Sequence, residues 1–189
     1  MNDTLRVIEE RRAVREYEPK SVPKNIIKKI INAANQAPSG MNSQPWRFVV
    51  VTDKRFHKIL TETAIPKSKS RLKSLKKTVP ERYDAIMKRY DELEDPIYYS
   101  APVIIFVIGK GSFADLSCPL ACQNIMLAAR SLGIGSCWVY FGSMVTDKKE
   151  IKKKLELTEG EKIFGPIILG YTRKFPEPPP KKKPRVKWI

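Results

Sequence analysis

Two hydrophobic spacings run along this chain, and each predicts a set of elements. Ile26, Ile27, Ile30, Ile31 and Ala34 repeat at helical spacing. They predict a helix with Pro23 in its first turn and Pro38-Ser39-Gly40 beyond its end. A shorter helix starts at Asp3 or Thr4, either of which can cap it, with Leu5 and Ile8 on one face. Asp53 caps a third helix through about Thr63, and Asp115 a long one to Leu132. In the latter, Leu120, Ile125, Met126, Ala128, Ala129 and Leu132 are apolar over much of the circumference, which makes it central. Asp147 to Leu155 predicts a Lys-rich helix.

The second spacing is that of strands. Arg47 to Thr52, Ser136 to Tyr140 and Pro166 to Gly170 are short and rich in strand-forming residues. Pro102 to Ile108 is apolar throughout, as a strand covered on both faces must be. The predicted order is helix-helix-strand-helix, an excursion, strand-helix-strand-helix-strand, then a tail. This is an α+β fold with a small mixed central β-sheet flanked by helices. Residues 1–189 form a single domain on this reading. It includes a basic helical lid at about 64–95, helical again around Glu81 to Leu93, and an extended Pro/Lys-rich tail at about 173–189.

Charge changes this picture little. Lys and Arg number 36 against 20 Asp and Glu, a net charge of +16. Twelve of those sixteen charges come from two segments, Lys67 to Lys77 and Arg173 to Ile189. Two patches suit an anionic small ligand or a solvated surface as well as nucleic acid. Aromatic residues, which stack on bases, are absent from the first segment and few in the second. Nucleic-acid binding without catalysis is therefore the alternative, not the expectation. No apolar stretch approaches the ~20 residues needed to span a bilayer, and the N-terminus lacks a signal-peptide core, so a cytoplasmic protein is expected.

Metal and nucleophile chemistry find little support. Cys118, Cys122 and Cys137 make no CxxC pair, and Cys118 and Cys122, four apart on a helix, read as core. His57, the only histidine, lies in the polar stretch DKRFHKIL and reads as exposed. Gly109-Lys110-Gly111-Ser112-Phe113-Ala114 matches a dinucleotide-binding turn. No acid follows at about 20 residues to hold a ribose, so the glycines read as turn chemistry.

Two wider constellations are more informative. Arg11, Arg12 and Arg15 put three guanidiniums within one turn of a helix end. They can fork onto a phosphate, sit against an anionic ring, or form a solvated basic turn. Ala37 to Trp46 brackets Ser39, Gly40, Asn42 and Gln44 between Pro38 and Pro45, a loop that presents short donors to a flat polar ring.

Arg11-Arg12-Ala13-Val14-Arg15-Glu16-Tyr17 resembles the R-R-S-x-R-x-[FY] opening of the nitroreductase family of FMN-dependent oxidoreductases. APSGMNSQPWRFVVV resembles that family's A-P-S-x-x-N-x-Q-P-W-x-F segment. Gln123 to Ala129 followed by Leu132 to Trp138 resembles its central helix and the strand after it, and Ile168-Leu169-Gly170-Tyr171 its ending. The resemblance implies a homodimer with FMN in the subunit interface. Arg11 would bind the FMN phosphate, Arg12 would help hold the cofactor, and Arg15 would lie near the pyrimidine edge of the flavin. Pro38, Ser39, Gly40 and Asn42, with Gln44 in the same loop, would approach from the other subunit. Tyr140, Phe141 and Gly142 would lie along the ring, one backbone N–H toward its N5. A tail residue would return to the phosphate, Lys181 first, with Lys183 and Arg185 as alternatives.

Ala13 stands where the family has serine, which removes one hydroxyl donor to the phosphate. Lysine stands where the tail often has arginine, keeping charge but losing bidentate geometry. The implied activity takes hydride from NAD(P)H and reduces a flat electron-poor acceptor, a nitroaromatic, quinone or similar, in two steps at one flavin face. No catalytic side chain is expected, because the cofactor carries the chemistry. The alternative within the fold is a specialised flavin enzyme, a reductive dehalogenase or flavin-cleaving type.

Overall fold

In the computed structural model, which describes residues 2–189, the helices are α1 (Asp3–Glu10), α2 (Lys24–Asn35), α3 (Lys54–Leu72), α4 (Leu75–Thr78), α5 (Pro80–Glu92), α6 (Ala114–Ser131) and α7 (Lys149–Lys154). The strands are β1 (Trp46–Val51), β2 (Val103–Gly109), β3 (Gly135–Trp138), β4 (Lys162–Ile163) and β5 (Ile167–Gly170). They form one sheet in the order β1-β2-β5-β3, with β4 also paired to β2. Every ladder is antiparallel, and the parallel component of the expected mixed sheet is reduced to one bridge between Ala13 and Ser136.

The continuous apolar run of β2 has the cause expected of it, since all seven residues are buried. Val103, Ile105 and Val107 face a layer built by α2 and α6, with Ile27, Ile30, Ala121, Cys122 and Ile125. Ile104, Phe106 and Ile108 face the opposite layer of Phe56, Leu60, Tyr98, Ile151 and Leu155. Burial raises the Cys118 thiol to about 11 and that of Cys122 to about 12, so both stay protonated and act as small apolar fillers. No helix among the described residues is long and apolar enough to cross a membrane.

Five local expectations are corrected. Asp115 does not cap α6 but lies inside its first turn, with Phe113 at the cap position and no side-chain cap bond. Asn2, rather than Asp3 or Thr4, caps α1, its side chain accepting from the Thr4 N–H at 2.8 Å. Helix α3 runs past Thr63 and through Pro66 to Leu72, because Leu60, Ala64, Ser68 and Leu72 form one buried i, i+4 row. Pro66 and Glu62, whose carbonyl the proline leaves without its helical donor, are both exposed. Tyr140 closes no strand; it opens a 3₁₀ turn, Tyr140–Ser143. His57 is mostly covered rather than exposed, its Nε2 lying 2.9 Å from Asp95. The Gly109–Gly111 segment is the turn from β2 into α6, with Gly111 at φ 99.

Arg47 on β1 fixes the connection between α7 and β4. It pairs with both carboxylate oxygens of Glu161, at 2.6 and 2.8 Å, and donates to the carbonyls of Leu155 and Glu156. The hydrogen bond from Arg47 holds the Glu161 carboxyl at about 2 against an ordinary 4.5. A depressed carboxylate stabilises the fold fully above its unfolded value and loses that contribution as pH falls toward the folded one. Glu161→Gln should therefore lower the melting temperature by about 5 °C at pH 7. The gap to the parent protein should close between pH 4.5 and 2. A gap unchanged down to pH 3 in thermal unfolding would refute the role.

Candidate functional site

The two halves of the sequence that carry the arginine cluster and the 140–142 segment meet along β3. Arg11 leaves the end of α1 in extended conformation, at φ −61 and ψ 127. The next residues then run beside the strand. Ala13 bridges Ser136, and the Val14 N–H donates to the Ser136 carbonyl at 3.0 Å. Val14 is buried, and the Tyr17 hydroxyl donates to its carbonyl at 2.7 Å. Burial raises the Tyr17 phenol far above its ordinary value, so it remains a neutral donor. At the far end β3 passes through Val139, whose N–H donates to Pro166, into the Tyr140–Ser143 turn. In that turn Tyr140 is exposed, Phe141 half-buried and Gly142 buried.

The electrostatics of this corner are positive. Burial raises the thiol of Cys137 on β3, and Arg15 and Arg11 draw it part of the way back, which places both guanidiniums within electrostatic reach of the strand. Glu10 pairs with Arg130 at 2.7 Å and Glu18 lies 4.0 Å from Arg173, and among the described residues no carboxylate pairs with Arg11, Arg12 or Arg15. Arg12 donates from Nη1 to the Arg11 carbonyl at 2.6 Å, while its Nε is buried without a partner among the described residues.

The Pro38–Gln44 loop lies elsewhere. Met41, Asn42 and Gln44 all have positive φ, at 52, 52 and 43. Local bonds hold them there: the Ser39 hydroxyl accepts from the Gln44 N–H at 3.0 Å, and the Gln44 amide donates to Asn42 at 3.3 Å. Pro38, Asn42 and Gln44 are exposed, and Ser39 and Gly40 half-buried. The Gly40 N–H points at the Ser117 hydroxyl, 3.4 Å away, near the start of α6. Arg11 follows Glu10, which is held by Arg130 near the end of α6. At 1.5 Å per residue, Ser117 and Arg130 are about 20 Å apart along the helix. Within one chain the loop and the arginine corner are therefore not brought together.

A family model described as the Nitroreductase family matches residues 8–171. The chain belongs to the nitroreductase family. It is 31% identical to an Archaeoglobus fulgidus protein provisionally named an NADH dehydrogenase/NAD(P)H nitroreductase, over 92% of this chain and 87% of the other. It superposes on a nitroreductase with bound FMN from Desulfitobacterium hafniense with a TM-score of 0.83 and 28% identity, covering 100% of this chain and 99% of that one. An iodotyrosine deiodinase of Thermotoga neapolitana is 27% identical over 93% of this chain and 89% of its own length.

This nitroreductase-family chain holds the remaining sequence-named residues less closely. Lys181 and Lys183 lie in the exposed extended tail, with no ion pair to either among the described residues. The tail starts beside the end of α1, where the Phe175 ring lies 4.0 Å from the Arg130 guanidinium that holds Glu10. Beside the turn, Met144 borders an open depression of about 690 Å³ lined otherwise by Lys67, Ser70, Arg71 and Ser74 from α3 and its end. The sequence reading passed over Tyr98 and Tyr99. Tyr98 donates its hydroxyl to the Gly142 carbonyl at 2.8 Å, and the Tyr99 ring centre lies 5.8 Å from the Arg15 guanidinium. The one signal was a pair of tyrosines after Asp95-Pro96 and before an apolar strand.

Proposed function

We propose that this chain binds FMN between two copies of itself and reduces a flat electron-poor acceptor with electrons from NAD(P)H. The chain is an FMN-dependent NAD(P)H oxidoreductase of the nitroreductase family. The acceptor, the residues that bind and the shared site are our reading. The observation that carries it is the β3 corner. There, Arg11, Arg12 and Arg15, none with a carboxylate partner among the described residues, line the strand that runs into the Tyr140–Gly142 turn, and Arg12 keeps a buried Nε with no partner among those residues. An orphaned buried donor beside two further cations fits a phosphate-bearing anion.

When bound, FMN supplies a ring that accepts and donates hydride, and the protein supplies position and charge. Arg11 and Arg12 hold the phosphate, with Ala13 contributing backbone only. Lys181, or Lys183, closes on it from the tail; six residues of extended chain from Phe175 reach up to about 20 Å. Arg15 places a fixed cation where the ring gains negative charge. Tyr140 and Phe141 open the turn, so their N–H groups have no acceptor within it, whereas the Gly142 N–H is taken by Val139. One of the first two is thus the donor toward the ring.

Pro38, Ser39, Gly40, Asn42 and Gln44 reach the same cofactor from the second copy, since about 20 Å of α6 separates them from the corner in their own chain. The surface supports a partner. Met41, Phe113, Leu116 and Leu120 form an apolar set beside the loop and along the first half of α6, with Met41 90% and Leu116 75% exposed. The open depression beside Met144, lined by α3 and the residues after it, lies where the basic lid meets the turn.

Purified protein should carry oxidised-flavin absorption, or gain it on titration with FMN, to about one FMN per chain. Calorimetry that finds no FMN binding would refute the reading. Salt-sensitive binding of oligonucleotides by flavin-free protein would then favour the nucleic-acid alternative. If flavin is present but nitroaromatics and quinones are not reduced, while 3-iodotyrosine loses iodide, the dehalogenase reading replaces the acceptor proposed here.

A further inference from the structure

Asp95 is the most heavily bonded side chain of the fold, and it lies outside the residues named so far for the cofactor. It is 8% exposed and accepts at both oxygens. Thr61 Oγ1 at 3.0 Å and the N–H groups of Ile97 and Tyr98, at 3.2 and 2.9 Å, donate to Oδ1. His57 Nε2 and the Ser100 N–H, both at 2.9 Å, donate to Oδ2. Burial alone would raise this carboxyl, but the bonds from His57, Tyr98 and Ser100 outweigh it and hold it below the usual range. A charged hub is thus kept inside the protein by five donors, two of them from α3, whose start is capped by Asp53.

The hub has a conformational use. Tyr99 and Ser100 follow each other at φ 56 and 52, an arrangement that non-glycine residues adopt rarely and that needs outside support. Backbone bonds to Asp95 supply it. The folded loop then aims two adjacent tyrosines in different directions. Tyr98 is wholly buried, edge-on to His57 at 5.3 Å between ring centres, and its hydroxyl reaches the Gly142 carbonyl at 2.8 Å. The fit is tight, since a Cβ on Gly142 would lie 2.5 Å from the Tyr98 ring. Tyr99 lies 5.8 Å from the guanidinium of Arg15 and 5.6 Å from that of Arg89 on α5.

We propose that Asp95 and Tyr98 form a positioning relay that sets the peptide planes of the Tyr140–Gly142 turn, and so aims its free N–H groups at the flavin. Both residues are buried, Tyr98 wholly and Asp95 all but 8%. A turn of four residues has few bonds of its own. Its Gly142 carbonyl is fixed from inside the core by a phenol that burial keeps neutral. Through Tyr99 the same loop steadies Arg15 and, through Arg89, ties the lid helix α5 to the corner. This rests on the reading that the turn faces FMN.

The test is Tyr98→Phe, which removes one hydroxyl and keeps the ring. Hydrogen exchange of the amides at 139–143, in protein without flavin, should accelerate about tenfold, the loss of roughly one hydrogen bond. In flavin-loaded protein the visible absorption envelope and midpoint potential should shift. The rate of reduction at saturating NAD(P)H should fall about tenfold with an unchanged KM. Asp95→Asn, which loosens the whole loop, should produce the same spectral shift in larger measure. Should Asp95→Asn fail to fold, Tyr98→Phe alone decides. A lower melting temperature with unchanged exchange, spectrum and potential would make Tyr98 a packing residue and overturn the relay. If the parent protein binds no FMN, the functional reading fails by itself, and unchanged exchange at 139–143 still overturns the relay.

Discussion

Co-refolding equal amounts of Arg11→Glu and Asn42→Glu chains is expected to restore about a quarter of the flavin sites that neither variant retains alone. On the proposed reading each site draws Arg11 from one chain and Asn42 from the other, so either homodimer would have both sites broken. In the mixed dimer, two-fold symmetry puts both lesions into one site and leaves the other intact. Random pairing makes about half of the dimers mixed, with one good site in two. The geometry that motivates this is the length of α6, with the loop near Ser117 and the arginine corner near Arg130. Both substituted positions lie outside the core, so the chains should fold. The readout is bound FMN after co-refolding, against the same variants mixed while folded. No recovery despite demonstrated mixed dimers would mean that one chain builds the site alone.

Removing the tail before Lys181 should weaken FMN by about thirtyfold or more while changing riboflavin little. Losing a cation from a desolvated pair with phosphate costs roughly 2–5 kcal/mol, and riboflavin has no phosphate to lose. The expected contrast is sharpened by Ala13, which offers no hydroxyl to compensate. Lys181→Ala and Lys183→Ala, compared singly in full-length chains, identify the contact. Equal losses for both ligands on truncation would show that the tail acts by packing, and would remove Lys181 and Lys183 from the site.

The sequence made legible whatever depends on local spacing. The apolar run before Gly109 could only be a strand buried on both faces, and the isoleucine stripe of α2 could only be an amphipathic helix. The Pro38–Gln44 loop stood out because a generic turn rarely holds Ser39, Asn42, Gln44 and Trp46 together, whereas the arginine cluster, which alone suits a solvated basic turn, gained meaning only beside it. What stayed hidden depends on contacts across the chain. Nothing near His57 announces that residue 95 will cover it, and nothing in Tyr98 announces Gly142, 44 residues on. Helix α3 outran its expected end because the row Leu60, Ala64, Ser68, Leu72 is buried by partners that its polar composition conceals. Strand β4, two residues long, exists only through its pairing with β2.

The position of β2 also governs how this chain can come into being. Its partners on either side are remote: β1 pairs with it from at least 53 residues upstream, and β5 from 62 or more downstream. Such distant pairings fold slowly, because the loops must close before any strand bond rewards them. During synthesis the run Val103–Ile108 leaves the ribosome well before Ile167–Leu169, so for that interval it has one bare edge and incompletely covered faces. It is then the segment of this protein most exposed to self-association, and the one whose protection by a chaperone would decide the yield of folded chains.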